Sequence, residues 1–294
     1  MTMRSISLQS LLASGRPHGG RMEKHLRGRI QGAYGGTVDH TGNLCIAKGE
    51  SHVLFSAHLD TVHRTDGYVG FRQKGPTYSA LKECLGADDG AGIWMLLQMI
   101  AHDIPGTYVF TVGEEVGAVG ASGFLMPPHI KACVSFDRKG TTDVVYVQGT
   151  HTGSLKAAQW VCDALEMEHK PSTGGTFSDN AIWASDVPEC LNISVGYANA
   201  HTALESLDTI YLHKLLEVVL SVQWDQLPIV RDPTDDPYQW PISSYNMGGQ
   251  MFYYTSSHIE ELVRSKPDVA ARMLQQHVDP EELFWEFMDT KGCS

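Results

Sequence analysis

Along this chain apolar residues gather in short unbroken runs, and each run stops at a cluster of polar and acidic residues. His52–Ala57, Thr107–Gly113, Lys131–Phe136 and Cys190–Gly196 are runs of this kind, with β-branched and aromatic side chains prominent in them. Runs of that length without alternation predict strands buried on both faces. Between them lie stretches whose apolar positions recur at helical spacing. Ala91–His102 predicts a helix opened by Asp88 and Asp89, Leu155–Glu168 a second, and Leu207–Trp224 a third introduced by Asp208. Strand and helix in alternation imply an α/β fold, with three α/β/α layers around a mostly parallel, mixed sheet. In such sheets ligands bind beyond the carboxyl ends of the strands, and the polar clusters fall there.

After about residue 228 the pattern changes. Pro228, Pro233, Pro237 and Pro241, interspersed with Asp232, Asp235 and Asp236, predict an extended linker over 229–256. From 257 to 294 helical spacing returns. Asp279 and Pro280 followed by Glu281 and Glu282 form a helix start ahead of Leu283, Phe284, Trp285 and Phe287. The expected organisation is therefore a catalytic domain over 1–228, a linker over 229–256 and a helical C-terminal appendage over 257–294.

The 294 residues are enough to bury a full core, and 42% hydrophobic against 19% charged residues is the balance of a folded globular protein. A net charge of −12 leaves no basic footprint for nucleic acid or for an anionic membrane surface. The longest apolar run, Ile93–Ala101, is broken by Gln98 and is far too short to span a bilayer. With no secretory h-region after Arg4, the expected location is cytoplasmic. The six cysteines, Cys45, Cys84, Cys133, Cys162, Cys190 and Cys293, contain no C-x-x-C pair and read as reduced thiols.

The candidate chemistry sits in five clusters. Ser56-Ala57-His58-Leu59-Asp60 places His58 and Asp60 on one side of an extended chain, where Asp60 can orient the imidazole. Leu85–Gly92 carries Asp88 and Asp89 among glycines at a helix start. Val112–Gly117 carries Glu114 and Glu115 after a strand, so that one can bind a metal while its neighbour accepts a proton. Asp137 follows the third strand, and His201 lies in Asn199–Glu205. Imidazole nitrogen and carboxylate oxygen are the donors a hydrolytic zinc site uses, and a two-metal site needs a carboxylate common to both ions.

In this order, His-x-Asp, Asp, Glu-Glu, Asp, His, the clusters resemble the co-catalytic dizinc peptidase clan, over about residues 30 to 225. Leu85–Ile93 and Glu114-Glu115-Val116-Gly117 are similar in spelling to peptidase T and the carboxypeptidase G group, as are Gly174-Gly175-Thr176 and Asp179. Between Asp137 and that glycine-rich stretch, however, only Arg138–Thr173 intervene. The roughly hundred-residue lid domain of those two groups does not fit there. In architecture the chain resembles the lidless leucyl-type zinc aminopeptidases.

The resemblance implies two divalent ions, zinc first and cobalt or manganese next. Asp88 would be shared, His58 and Asp137 would complete one site, and Glu115 and His201 the other. Asp88 is preferred to Asp89 for its spacing to Gly92. Asp60 would orient His58, and Glu114 would act as general base on a metal-bridging hydroxide. Asp179 or Glu205 is placed to meet a substrate amine, and His151 an oxyanion. The activity implied is that of an aminopeptidase on small peptides. A metal-dependent N-acyl amidohydrolase or deacylase is the enzymatic alternative, and a non-catalytic scaffold acting through its tail is the remoter one. The linker and capped tail are compatible with a homo-oligomer.

Overall fold

The structure is a computed structural model that describes residues 6–234. Eight strands make its main sheet: β1 (Thr37–Val38), β2 (Leu44–Lys48), β3 (Val53–His58), β4 (Gly106–Thr111), β5 (Ala132–Arg138), β6 (Asp143–Val145), β7 (Lys170–Ser172) and β8 (Glu189–Ser194). Their order across the sheet is β7-β6-β8-β5-β3-β4-β2-β1. The central four, β8, β5, β3 and β4, run parallel. β6 and β2 lie antiparallel on either side of them. The four apolar runs of the sequence are these central strands, and every residue of β3, β4 and β8 is buried.

Alternation along the strands divides the core. Phe55, Tyr108, Phe110, Val134, Phe136, Leu191 and Ile193 face the larger core. Leu54, Val109, Cys133 and Cys190 face a smaller one with Ala121 and Trp183. The helices follow the division. Helices α1 (Leu8–Leu12), α2 (Arg21–Tyr34), α3 (Ala87–Ala101), α4 (Leu155–Leu165) and α5 (Thr209–Val219) contribute to the larger core. Short turns of helix at Val119–Gly123 and Asp179–Ile182 cover the other face. Each large side chain so buried contributes about 1.5–3 kcal/mol. The five described cysteines are free thiols.

Local chemistry sets the helix starts. Asp208 accepts from the Ile210 and Tyr211 N–H groups, and Ser154 from Ala157, so α5 and α4 begin with capped donors. α3 approaches the sheet so closely that a Cβ on Gly92 would collide with the Asp89 carboxylate and stand 2.6 Å from the Phe136 carbonyl. α5 is shorter than its sequence pattern. Trp224 stands in a separate turn, Trp224–Gln226, with its indole edge-on to Phe55 at 5.3 Å.

The interval between Asp137 and Gly174 holds β6, a small hairpin, α4 and β7, all part of the sheet or its cover. No inserted lid interrupts the described residues, as expected. The helical appendage expected at 257–294 and most of the 229–256 linker lie outside them. The first linker residues are fastened to the α/β fold: Glu189, fully buried, accepts from the N–H groups of Ser154 (2.6 Å), Val230 (2.8 Å) and Arg231 (3.1 Å). The Arg231 guanidinium donates to the carbonyls of Ala184, Val187 and Pro188.

Arg231→Ala removes the donor to three carbonyls, which is expected to cost about 1–3 kcal/mol. The check is a lower urea midpoint at unchanged slope.

Candidate active site

β3 ends at His58, and the chain turns there because it is held from the N-terminal segment. Arg16, 1% exposed, donates through Nε to the Leu59 carbonyl (2.8 Å) and through Nη1 to the Leu11 (2.6 Å) and Ser14 (3.0 Å) carbonyls. Its main chain exchanges hydrogen bonds with Thr61. His58 Nδ1 is 3.1 Å from the Asp60 carbonyl and 3.6 Å from its carboxylate, so that nitrogen carries the proton. Nε2 then faces the cleft, 3.0 Å from Asp88 Oδ1 and 3.8 Å from Asp137 Oδ1.

The Asp60 carboxylate also accepts from the main-chain N–H groups of Glu114 and Glu115, each at 3.1 Å. These N–H groups are presented by a turn whose first residue, Gly113, has φ 68, a left-handed conformation that glycine adopts without strain. Asn43 closes the loop. Its Oδ1 accepts from Val112 N–H and its Nδ2 donates to the Gly120 carbonyl.

Asp88 and Asp89 are joined by a cis peptide and point apart. Asp89, fully buried, accepts from the N–H groups of His58 (3.2 Å) and Gly92 (2.9 Å). Asp88 faces the cleft, with Oδ2 3.2 Å from His201 Nε2. His201 is in turn 3.0 Å from Glu115 Oε1 and half exposed, at φ 66, a backbone region unfavourable for a non-glycine residue. Asp137 at the end of β5 is steadied by Asn192, which brackets its main chain, and by the Tyr197 hydroxyl, 3.2 Å from its Oδ1.

Three overlapping groups result: His58, Asp88 and Asp137; His58, Glu114 and Glu115; and Asp88, Glu115 and His201, each with ligand atoms within 4.8 Å of one another. Donors held about 2.0–2.1 Å from one tetrahedral ion stand about 3.3 Å apart, close to the separations seen here. Glu115 Oε1 is buried without a hydrogen-bond donor despite its nearness to His201, as an atom directed at a cation would be. Nitrogen and oxygen donors without sulfur suit zinc, cobalt or manganese.

In the metal-free protein protons take the place of that charge. Burial alone would depress His58, but hydrogen bonds to Asp60 and Asp88 and the charges of Glu114 and Asp137 leave it well above the ordinary histidine range. The carboxylates of Asp88 and Glu115 close to its ring lift His201 to about 10. Burial pushes Glu114 up to about 8, opposed by His58 and reinforced by Asp179 and Glu115. Asp137 is raised by burial and by Asp88. For Asp88 burial is outweighed by the two histidines, and its carboxyl falls far below the usual range.

The other expected residues stand elsewhere. Asp179 is buried; Thr111 donates to its Oδ2, its Oδ1 has no partner, and burial pushes it up to about 6. Glu205, expected as an alternative partner of a substrate amine, is instead 1% exposed, with its carboxylate hydrogen-bonded to main-chain N–H groups. Those donors occupy the oxygens an amine would need. His151 is exposed on the hairpin Val147–Gln148/Thr150–His151 and belongs to none of the three groups. Arg16, Asn43, Asn192 and Tyr197 were not singled out from the sequence. Asn192 had a signal, a polar residue inside the apolar β8 run.

No family model and no curated protein sequence matches the chain. Solved structures do. The aminopeptidase PepT of Bacillus cereus aligns with a TM-score of 0.60 at 16% identity, over 73% of this chain and 95% of that one. A tripeptidase of Staphylococcus aureus gives 0.60 at 16%, over 72% and 95%. The Pyrococcus horikoshii TET1 peptidase, which can assemble into a tetrahedron or a large octahedral shell, gives 0.57 at 18%, over 73% and 97%. The chain has the fold these peptidases share.

Metal ligation requires neutral imidazoles, whereas in the metal-free protein the neighbouring carboxylates favour the protonated forms of His58 and His201. Loading with zinc is expected to release at least about two protons, those of the two histidines, with the proton of the raised Asp137 carboxyl adding to them. Calorimetry in buffers of different ionisation enthalpy counts them, and a release near zero would remove both histidines from the ligand set. The stability of the metal-free protein has the matching sign. His201 binds its proton more tightly folded than unfolded, so stability falls as the pH rises from 6.5 through about 10.

Proposed function

We propose that this chain is a metal-dependent aminopeptidase acting on short peptides. His58, Asp88 and Asp137 would hold one divalent ion, and Glu115, Asp88 and His201 a second, with zinc the first candidate and cobalt or manganese the alternatives. The observation that carries this is the placement of Asp88, whose Oδ1 is 3.0 Å from His58 and whose Oδ2 is 3.2 Å from His201. A carboxylate turned toward two histidines at once is the group a two-ion site shares. The peptidases that have the same fold lend support.

Bound there, the ions would polarise the scissile carbonyl and make the attacking water more acidic. Glu114 is the proton carrier. It adjoins the ligand Glu115 and its main chain is anchored by Asp60, so its carboxylate would take the proton of the attacking water and release it to the departing amine. Asp60 orients His58 and, through the same carboxylate, the Glu114–Glu115 turn. The catalytic domain is residues 1–228, and the first residues of the 229–256 linker, Val230 and Arg231, are fastened to it. Cytoplasmic location and assembly into a homo-oligomer belong to the same proposal. Among the described residues no helix is long and apolar enough to cross a membrane.

Glu114→Gln is expected to lower kcat at least about 100-fold while metal content stays unchanged. Metal loss in that variant would exchange the roles of the two glutamates. Wild-type protein is expected to cleave free-amine dipeptides and to leave N-acetylated dipeptides and N-acyl amino acids intact. Cleavage confined to the blocked substrates would replace aminopeptidase by deacylase.

A further inference from the structure

α3 opens irregularly. Gly86 is left-handed at φ 72, and Asp88 and Asp89 depart from helical geometry, so the N–H groups of Leu85, Gly86, Ala87 and Asp88 have no partner within the helix. A single side chain satisfies them. Glu205 Oε2 accepts from Leu85 (2.6 Å) and Gly86 (3.1 Å), and Oε1 from Ala87 (2.9 Å) and Asp88 (3.1 Å). Glu205 is 1% exposed and anchored at both main-chain ends: its N–H donates to the Thr202 carbonyl and its own carbonyl accepts from Ala80. It lies four residues after His201, in the same loop.

We propose that Glu205 is a positioning residue for the shared carboxylate of the metal site. By gathering four consecutive N–H groups ending at Asp88, it sets the direction of the Asp88 side chain. By its place after His201, it ties the loop carrying one ligand to the turn carrying the other. Asp88 and His201, which would both hold the same ion, are therefore positioned by one carboxylate that lies outside the ligand set. This rests on the metal-site reading above.

Glu205→Gln preserves the shape, but the amide has one acceptor oxygen, and its NH2 would face two N–H donors. Cobalt titration of the full-length chain, followed by its visible d–d absorption, tests the proposal alongside circular dichroism of the metal-free form. The expected result is a variant that still unfolds cooperatively, binds cobalt at least tenfold more weakly and gives altered d–d bands. Wild-type affinity and spectrum in a folded variant would overturn the proposal. Should Glu205→Gln fail to fold, Glu205→Asp, which keeps the charge on a shorter arm, decides the matter. A folded Asp variant with weakened, spectrally altered cobalt binding supports the proposal, one with wild-type binding overturns it, and failure of both variants to fold assigns Glu205 to folding alone. Wild-type protein that binds no cobalt would overturn the metal-site reading itself, a result distinct from unchanged binding in the variant.

Discussion

The site depends above all on one buried carboxylate, Asp60. Its side chain faces His58 Nδ1 and accepts the main-chain N–H groups of Glu114 and Glu115, so two strands that meet only side by side in the sheet deliver their terminal residues to a common point. A charged carboxylate without exposure is unfavourable unless hydrogen bonds replace its hydration. Here those replacements are the contacts that shape the cleft. Asp60 consequently stays below the ordinary carboxylate range: burial raises it, and its bonds with His58 and the glutamate turn outweigh that effect.

The same constraint recurs around it. Asp89 and Glu205 are also buried acids, and each is satisfied by main-chain N–H groups. Arg16 supplies a buried positive charge nearby. Burial lowers its pKa to about 10, while Asp60, Asp89 and Glu205 act to keep it charged. Asp88, Glu114, Glu115 and Asp137 face the cleft, whereas Asp89 and Glu205 hold backbone. Residue type and adjacency do not distinguish them, since Asp88 and Asp89 serve opposite sides, and only the spacing to Gly92 carried by the resemblance favoured Asp88.

The central sheet was legible from sequence because its strands are buried on both faces and cannot alternate with polar residues. The five clusters were legible because they end those strands. Other parts carried weaker patterns. α2 spaces Met22, Leu26 and Ile30 four apart, but charged residues and glycine dilute the stripe. β6 and β7 are too short for any periodicity. The part played by Glu205 was not readable either. A carboxylate near a histidine looks the same in sequence whether it faces solvent or four N–H groups, and only the path of the chain decides which.

Gly92 has no side chain and takes no part in any reaction, yet it sits where α3 presses on β5, against Asp89 and the Phe136 carbonyl. Any larger residue must push the helix and the strand apart, and these two elements carry Asp88 and Asp137. In a mutational scan Gly92 would therefore score alongside the proposed metal ligands. A map of intolerant positions would draw the active site one helical turn deeper than its chemistry extends.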